Sequence, residues 1–329
     1  MKKNDSGTLI GYNFGKERMM FLTVYKPLEA STTLRFYRAI HSRTELPPES
    51  AYYLQSLQKG YNGEKNWAAY LNELPKNIPI LYDLQFEVNQ STIQIDALCI
   101  LQNKLVLFEV KNFQGNFSVD GDKWYSPSHK EMKNPLNQIK RAEPLFHQFL
   151  KKYQLNMPFD YYLIFVHPTF ILYGASHQEQ LILPGQIPEF LDGLKQQTFS
   201  PQRMHTKIID TLLTNHINDI HLLHKPEYHF DQMAKGLFCG VCGGKMKRKH
   251  KKTFSCMKCH HSATVNDTVL YNIQDYMALF PERKVTTANI FDWIGGEVSK
   301  RFINYFMLNK FESHGLGKST YYKQNKYLL

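Results

Sequence analysis

Apolar residues occur in a series of strand-length segments in the first half of the chain. Four of them follow one another closely, at Ile78–Val88, Thr92–Leu101, Lys104–Lys111 and Asn116–Tyr125. Apart from a few polar positions, the second and third segments are apolar at successive residues, which is typical of central strands covered on both faces. A fifth apolar segment, Tyr161–Val166, predicts another buried strand. The pattern therefore predicts a sheet with a covered centre.

Segments with helical periodicity surround these strands. We expect two helical segments between residues 48 and 75, joined at the glycine-containing stretch 59–63. A third helix opens at Asn134-Pro135, with asparagine as N-cap and proline in the first helical position, and runs to about Lys152. Further helices are expected near 187–196 and 201–215. The order of helices and strands predicts an α/β or α+β core.

The pattern changes several times along the chain and suggests five parts. The second half adds a cysteine cluster and then a helical pattern around 288–309 in an aromatic and basic tail. We expect the following division: an N-terminal segment 1–45 without an assigned role, the α/β domain 46–220, a polar linker 221–235 with three histidines, the cysteine-containing unit 236–268, and a helical module 269–329 with a helix-turn-helix-like outline.

Charge and composition narrow the class of protein. The 329 residues carry a formal charge of +11, and 43% of them are hydrophobic, which is enough to fill a core. Excess positive charge favours a polyanionic partner such as nucleic acid, although solubility alone is the simpler explanation. No apolar run approaches the roughly 18 residues of a membrane-spanning helix, and residues 1–7 lack the apolar core of a signal peptide. We therefore expect no membrane partner.

The second and third strands contain acidic residues at matching positions. If Gln102-Asn103 forms a two-residue hairpin turn, Leu101 opposes Lys104 and Asp96 falls directly opposite Glu109. Opposed side chains in a sheet have Cβ atoms about 5 Å apart. Lys111, two residues after Glu109, shares its face. The hairpin therefore predicts an Asp-Glu-Lys cluster on one face of apolar strands.

Two carboxylates that face each other among apolar strands repel, unless one is protonated or a cation lies between them. Mg²⁺ or Mn²⁺ prefers such oxygen ligands and can polarise a phosphate and generate hydroxide at neutral pH. We expect Asp96, Glu109 and the Val110 backbone carbonyl to hold this metal, with Lys111 positioning the attacking water. The alternative is a surface hairpin in which these side chains form ion pairs with one another.

Two further polar residues share a face with apolar residues at helical spacing. Glu64 precedes the stripe Trp67, Leu71 and Leu74, and Gln138 heads the stripe Ala142, Leu145 and Phe149. Either side chain would then approach the carboxylate cluster, Glu64 as a ligand of a second metal or of its water shell. The alternatives are a glutamate favoured by the helix dipole and an amide at the edge of the core.

Four short blocks of sequence occur in a fixed order: Gly63-Glu64, Ile95-Asp96-Ala97, Phe108 to Asn112, and Asn134 to Gln138. Together they resemble the nuclease-related domain, NERD, of the PD-(D/E)XK nuclease superfamily. The resemblance implies a restriction-endonuclease-like α/β fold over 46–220, with a mixed central sheet flanked by helices. It also implies DNA rather than RNA as substrate, and a catalytic set that consists of Glu64, Asp96, Glu109 and Lys111, supported by Gln138.

The cysteines form two Cys-x-x-Cys pairs, Cys239 with Cys242 and Cys256 with Cys259, separated by thirteen residues. Four thiolates fill a tetrahedral Zn²⁺ and leave no open position, so we expect a structural zinc ribbon over 236–268. Unligated cysteines are the alternative. Clustered thiols beside the lone Cys99 indicate a reducing compartment, and we expect a cytoplasmic protein.

A basic run lies between the two cysteine pairs, where a hairpin tip is expected. A phosphate backbone is its natural target, although a solvated charge run is the simpler explanation. The expected nucleic-acid-binding residues are Lys245, Lys247, Arg248, Lys249, Lys251 and Lys252.

The leading hypothesis is a metal-dependent nuclease whose zinc ribbon and C-terminal module bind the nucleic acid. The alternatives are a non-catalytic nucleic-acid-binding protein that keeps the nuclease fold as a platform, and a regulatory subunit that is recruited by a partner. The sequence leaves the oligomeric state open, a homodimer included.

Overall fold

The computed structural model describes residues 23–175, 180–217, 222 and 224–324 of the chain. The expectation about a signal segment falls on residues 1–7 and lies outside this part. None of the helices in the described ranges has the length and apolar composition needed to cross a membrane. The α-helices are α1 (Thr32–His41), α2 (Pro48–Leu71), α3 (Leu136–Lys152), α4 (Ile187–Lys195), α5 (Arg203–Asn215), α6 (Val265–Leu279), α7 (Thr287–Trp293) and α8 (Lys300–Lys310).

The strands of the described residues fall into two groups along the chain. Those before residue 183 are β1 (Val24–Lys26), β2 (Ile80–Val88), β3 (Ser91–Ile100), β4 (Leu105–Lys111), β5 (Gly115–Asp120), β6 (Lys123–Tyr125), β7 (Glu131–Met132), β8 (Phe159–Phe165), β9 (Phe170–Tyr173) and β10 (Leu181–Ile182). Those after residue 245 are β11 (Met246–His250), β12 (Thr253–Cys256), β13 (Ser262–Thr264), β14 (Phe311–His314) and β15 (Tyr321–Gln324).

The largest sheet of the described chain has the strand order β1-β2-β3-β4-β8-β10. Strands β2, β3 and β4 pair antiparallel, whereas β1, β8 and β10 join their neighbours in parallel, so the sheet is mixed. The prediction of an α/β fold with a mixed central sheet is confirmed. Its central strands β3 and β4 are buried over nearly their full length, as expected from their apolar sequence.

Helices cover both faces of this sheet. Trp67 of α2 and Phe190 of α4 pack on Phe108 of β4, with ring centroids 5.0 and 6.2 Å from it. Phe146 of α3 packs on Phe159 of β8 at 5.0 Å. Successive side chains of a strand point to opposite faces, and Phe159 lies three residues from Tyr162, the register partner of Phe108. Phe159 is therefore on the face opposite to Phe108, and α3 covers that face.

A second, smaller sheet with the order β7-β6-β5-β9 packs beside the main one. The segment 116–125, predicted as one strand, is instead the hairpin β5–β6, in which Asp120 pairs with Lys123. The chain reverses there because Gly121 has a φ of 59°, a left-handed conformation that glycine adopts without strain. The rings of Phe117 and Trp124 pack against Phe170 and Phe165 and attach this sheet to the main core.

The remaining elements form a second core, separate from the one around the main sheet. It unites α1, the N-terminal half of α2, the cysteine-containing sheet β11-β12-β13 and the helices α6 to α8. Tyr37 of α1 is fully buried in this core, and Phe230 and Met233 of the predicted linker are buried there too. Two residues of that linker, 221 and 223, lie outside the described residues. The five-part division of the chain stays a prediction. The two hydrophobic cores do not follow the order of these parts, because α1 and the N-terminal half of α2 pack with the C-terminal elements.

Helix α2 is continuous through residues 59–63, where the sequence pattern predicted a junction. The prediction was wrong because packing outweighs the low helix propensity of glycine. Leu54 lies in the second core, whereas Trp67 and Leu71 lie in the main core. Each half of the helix is therefore held by a different hydrophobic core.

Helix α3 begins at Leu136, one residue later than expected, although the Asn134 side chain accepts a hydrogen bond from the Leu136 N–H at 3.0 Å. The expected inward stripe was partly wrong. Ala142 and Phe149 are buried as predicted, but the stripe starts at Leu136 and Ile139, and Gln138 is exposed. One step along a helix turns a side chain by about 100°, so an error of one residue moves Gln138 off the inward face.

Candidate active site and metal centre

The strands β3 and β4 separate where their acidic residues lie. Their ladder runs from Ile100↔Leu105 to Ala97↔Phe108, which places Asp96 next in register with Glu109. The predicted hairpin register is therefore confirmed. Beyond this point the Val110 N–H donates to a carboxylate oxygen of Asp96 at 2.7 Å, so a side chain takes the place of a strand partner. The two strands diverge here. We call the site between them, which contains Asp96 of β3 and Glu109 of β4, the fork.

Glu109 and Lys111 interact directly on β4. The Lys111 Nζ donates to Glu109 Oε1 at 2.7 Å, and the Glu109 side chain is almost completely buried. The Lys111 side chain keeps about a fifth of its surface exposed, at 19%. The lysine therefore lies between the buried carboxylate and solvent, where an incoming anionic group would meet it.

Helix α2 brings Glu64 to the same fork because Gly63 allows a close approach. A Cβ atom at Gly63 would lie 2.6 Å from the Asn112 Cβ, a distance that real Cβ contacts do not show. Asn112 directly follows β4, and its amide donates to the Lys59 carbonyl at 2.9 Å. The glycine and the asparagine together fix the helix against the end of the strand that carries Glu109 and Lys111.

The carboxyl groups at the fork repel one another. The pKa of Glu64 is raised to about 7, first because the group is buried and then because Asp83 and Glu109 lie near it. Burial raises the pKa of Asp96 well above its ordinary value, and Glu109 and Glu64 add to the effect. The Lys111 ammonium group offsets part of this repulsion at both residues. The cluster therefore has more negative charge than its own cation can balance.

Asp83 and Lys26 also belong to this cluster, and the sequence pattern did not indicate them. Asp83 lies on β2 between Tyr82 and Leu84, which pair with Ala97 and Ile95, so it is level with Asp96. Its φ of 48° is unusual within a strand.

Lys26 of the edge strand β1 stabilises the unusual backbone conformation at Asp83. Its Nζ donates to the carbonyls of Tyr82 and Asp83 at 2.9 and 2.8 Å and lies 3.9 Å from the Asp83 carboxylate. Burial lowers the pKa of Lys26, and the neighbouring Asp83, Glu29 and Glu64 act in the opposite direction. The only sequence signal was an isolated Asp within an apolar strand.

The donor set at the fork fits a hard divalent cation. Carboxylate oxygens are the ligands that Mg²⁺ and Mn²⁺ prefer, and a cation between Asp96 and Glu109 would relieve the repulsion that raises the pKa of Asp96. In the described residues, the three carboxylates of Glu64, Asp96 and Glu109 do not form a set as tight as the cysteine cluster. A site in which Asp96, Glu109 and a backbone carbonyl supply the ligands does not require all three carboxylates to meet at one point.

Gln138 is the predicted site residue that the structure does not bring to the fork by any described contact. It lies in the first turn of α3 with its side chain exposed. Its role as a supporting residue stays a prediction.

The four cysteines of the second core come together as predicted. Their sulfur atoms all lie within 4.8 Å of one another, with Cys239 and Cys259 at 3.8 Å and Cys242 and Cys256 at 3.4 Å. Such a set of four thiols can hold a structural metal, and zinc is the ion that this donor set favours. The zinc-ribbon prediction is supported by this geometry.

Local turns aim the thiols at one point. The Gly243 N–H donates to the Cys239 carbonyl at 2.8 Å, and the Lys258 N–H points at the Cys256 sulfur at 3.3 Å. A Cβ atom at Gly244 would lie 2.9 Å from the Cys256 sulfur. Only glycine leaves room there for the sulfur atoms to converge.

The basic run forms the predicted hairpin between the cysteine pairs. Strands β11 and β12 pair antiparallel from Met246↔Cys256 to His250↔Thr253. All the expected nucleic-acid-binding residues are exposed: Lys245, Lys247, Arg248, Lys249, Lys251 and Lys252. The hairpin therefore presents a concentrated positive charge to solvent, and its role in binding stays a prediction.

Comparison with protein families gives one match, to the nuclease-related domain (NERD), over residues 59–166. This range covers about a third of the chain and contains the whole carboxylate fork of α2, β3 and β4. The resemblance inferred from four short sequence blocks is confirmed. No curated protein and no solved structure matches the chain.

Proposed function

We propose that this protein is a metal-dependent nuclease that hydrolyses phosphodiester bonds, in DNA rather than RNA. The observation that carries the proposal is the convergence of Glu64, Asp96 and Glu109 with Lys111 at one fork, inside the range that matches a nuclease-related domain. Buried carboxylates that repel one another are costly for the fold, and such costs are concentrated at functional sites. The DNA preference rests on the family resemblance.

In this mechanism Asp96 and Glu109 bind Mg²⁺ or Mn²⁺, together with the Val110 carbonyl. When bound there, such an ion would supply Lewis-acid catalysis of phosphodiester hydrolysis. The hydrogen bond from the Val110 N–H fixes one oxygen of Asp96 and leaves the other free to act as a ligand. Glu109 is held in the same way by Lys111.

Lys111 and Glu64 act on the reacting groups. Lys111 lies between Glu109 and solvent, where its ammonium group stabilises the negative charge that develops on the phosphate and orients the attacking water. Glu64 approaches from α2 and would hold a second metal or its water shell. Gly63 is a positioning residue, because it sets the distance between α2 and β4.

Outside the fork, the zinc ribbon and the C-terminal module bind the nucleic acid. The exposed basic hairpin 245–252 contacts the phosphate backbone, and the four cysteines maintain its shape through Zn²⁺. Thiols that must stay reduced to bind the metal fit a reducing compartment such as the cytoplasm.

The test is a cleavage assay with plasmid, linear and single-stranded DNA and with RNA, each in the presence of Mg²⁺ or Mn²⁺. We expect the wild-type protein to cut DNA, and Glu109→Ala and Lys111→Ala to abolish cutting while DNA binding is retained. Glu87→Ala is the matched control, since Glu87 is an exposed glutamate on the neighbouring strand β2.

Two results would contradict the proposal. One is a wild-type protein that binds DNA but cuts nothing with either metal, which is the behaviour of a non-catalytic platform. The other is cutting by Glu109→Ala at the wild-type rate, which would indicate a contaminating nuclease.

A further inference from the structure

The last sixty residues of the described chain have the topology of a helix-turn-helix followed by a β-hairpin. Helix α6 is followed by α7 and α8, and then by the antiparallel hairpin β14–β15. Val285, directly before α7, forms a bridge with Tyr322 of β15, so the hairpin is anchored beside the helices. This arrangement, a helix pair with an attached wing, was not evident in the sequence beyond a helix-turn-helix outline.

Helix α8 has one face in the core and one face in solvent. Ile303, Phe306 and Met307 are buried in the second core. The outward face contains Arg301, Asn304, Tyr305 and Leu308, with Tyr305 70% and Leu308 54% exposed. The helix has three basic residues and no acidic one. A positively charged helix with exposed apolar groups is a surface for a polyanion that also offers apolar contacts.

The wing is held rigidly against α8. The Tyr322 N–H donates to the Val285 carbonyl at 2.8 Å, and the Tyr322 hydroxyl donates to Asn304 Oδ1 at 3.0 Å. At the tip of the hairpin Leu316 is 89% exposed. The outward face of α8 and the wing therefore form one fixed surface.

The basic hairpin of the zinc ribbon adjoins the N-terminal end of α8. The Arg248 guanidinium donates to the Glu297 carbonyl at 3.2 Å, in the turn before α8. Between the basic hairpin and the start of α8 lies an open groove of about 1080 Å³. Its basic lining residues are Arg248, Lys251, Lys252 and Lys300, against one acidic residue, Glu297. The first turns of α6 and α8 also open on this groove, and helix N-termini favour phosphate.

We propose that this surface binds double-stranded DNA, with α8 in the major groove and the wing and the basic hairpin on the flanking phosphate backbones. The major groove of B-form DNA admits an α-helix, whereas the major groove of an RNA duplex is too narrow for one. Arg301 and Tyr305 face the base edges, and Leu308 offers an apolar contact of the kind made with thymine methyl groups. The inference rests on the proposed function only in taking nucleic acid as the substrate.

The geometry favours this partner over an acidic protein surface. The wing contacts α8 through Tyr322 and Asn304, and the groove is lined by the first turn of α8 and by the basic hairpin, so all three adjoin one helix. The exposed charge on α8 and on the hairpin 245–252 has a single sign. A protein partner remains an outcome of the test.

Binding is measured by fluorescence anisotropy with the full zinc-loaded chain, without Mg²⁺ or Mn²⁺ so that no cutting occurs. The probes are a DNA duplex of about 20 base pairs, the RNA duplex of the same sequence, and the single DNA strand. We expect the DNA duplex to bind at least about tenfold more tightly than the other two probes.

Variants locate the surface. Arg301→Ala and Tyr305→Ala should each weaken DNA-duplex binding about tenfold, as expected for groove-contacting side chains. Lys247→Ala should weaken binding to every duplex sequence and lower the salt dependence by about one counterion. Tyr173→Ala is the matched control, because Tyr173 is also exposed, at 55%, but lies on β9 beside the main core.

Equal affinity for the RNA duplex or the single strand would overturn the inference, as would wild-type affinity in both α8 variants. Binding to duplex DNA with no cleavage in the nuclease assay would support the inference and refute the proposed function. Cleavage of DNA combined with unaltered DNA binding by the α8 variants would support the proposed function and refute the inference about α8.

Discussion

The two hydrophobic cores of this protein treat buried charge in opposite ways. In the main core, Asp96 and Glu109 are buried at the fork together with Glu64, and their repulsion is only partly offset by Lys111. In the second core, the Arg43 guanidinium donates to the Ala234 carbonyl and to Asn272 Oδ1, both at 2.8 Å, and stacks 3.6 Å from the centre of the Trp293 ring. The fork has more carboxyl groups than neighbouring lysines, whereas both terminal nitrogens of Arg43 find acceptors within the fold and, among the described residues, only its Nε lacks one.

The metal sites differ in the same way. Four thiols surround a single point in the second core and leave no position for substrate. The carboxylate fork has an incomplete donor set that faces solvent past Lys111. Under the proposed function, the closed site maintains the shape of the ribbon and the incomplete site is where the chemistry would occur.

The largest expected effect is on the closed site. Cys239→Ser should release the zinc and unfold the ribbon 236–268, because structural zinc contributes on the order of 10 kcal/mol to the folding of small domains. The main core should stay folded, since none of its packing involves the cysteines of the ribbon. Zinc content and hydrogen exchange measure both effects.

Cys99→Ala is the control for the loss of a thiol, because Cys99 is buried in the main core. It should retain one zinc per chain. If Cys239→Ser removed protection from the main sheet as well, the two cores would not be independent in the way the comparison requires.

The next effect concerns the incomplete site. Gly63→Ala should lower the cleavage rate about 100-fold, because the new methyl group pushes α2 and Glu64 away from β4, and small misplacements of catalytic groups have effects of that order. DNA affinity should not change. Gly60→Ala is the matched control on the same helix, where a Cβ atom would meet nothing within 4 Å. Equal rates for the two variants would refute a positioning role for Gly63.

A smaller effect, on the pH dependence of stability, is expected for Asp275. This carboxyl group is buried in the second core, and one of its oxygen atoms has no hydrogen-bond partner among the described residues. Burial raises the pKa of Asp275 to about 7, although Arg43 and Arg35 act in the opposite direction. A carboxyl group with a raised pKa stabilises the fold below its unfolded pKa, and this contribution is lost as the pH rises through about 7.

Asp275→Asn removes this dependence. Its stability relative to the wild type should rise by roughly 2–3 kcal/mol between pH 5 and pH 7.5 and then level off, since one pKa unit corresponds to about 1.4 kcal/mol. Calorimetry of both proteins across this range measures the difference. A constant difference would mean that Asp275 is already ionised in the folded protein at pH 5.

The smallest effect should come from an exposed pair of the main core. Lys104 and Asp160 lie 2.6 Å apart with their side chains 44% and 41% exposed. Lys104→Ala should change the free energy of unfolding by less than about 1 kcal/mol, because exposed ion pairs contribute little. Denaturant titration measures this. A larger loss of stability would show that the energetic effect of a charged group in this protein does not depend on its burial.

The hairpin site was predictable because two local signals agreed. A two-residue turn fixes the register of its strands, and the apolar strands around Asp96 and Glu109 show that both residues are buried. The zinc ribbon was predictable for a similar reason, since each cysteine pair is a local turn with its own spacing. In both cases the residues that come together are close in sequence or connected by a short turn.

The rest depended on contacts between distant parts of the chain. Strand β1 exists because it pairs with β2, more than fifty residues away, and Lys26 reaches Asp83 only through this pairing. Helix α1 packs with elements beyond residue 228 in the second core. The close approach of α2 to the end of β4 depends on the contact between Gly63 and Asn112. No local pattern records such contacts.

Helix α2 has a further consequence for how this chain can vary in length. One rigid rod of 24 residues, about 36 Å long, is held by a different core at each end. Each residue inserted between its two halves would rotate one core against the other by about 100° and shift it by about 1.5 Å. An insertion of seven residues restores the rotation to within about 20°. The phase of this helix, and not the length of a flexible connection, determines how the proposed DNA-binding face is oriented relative to the fork.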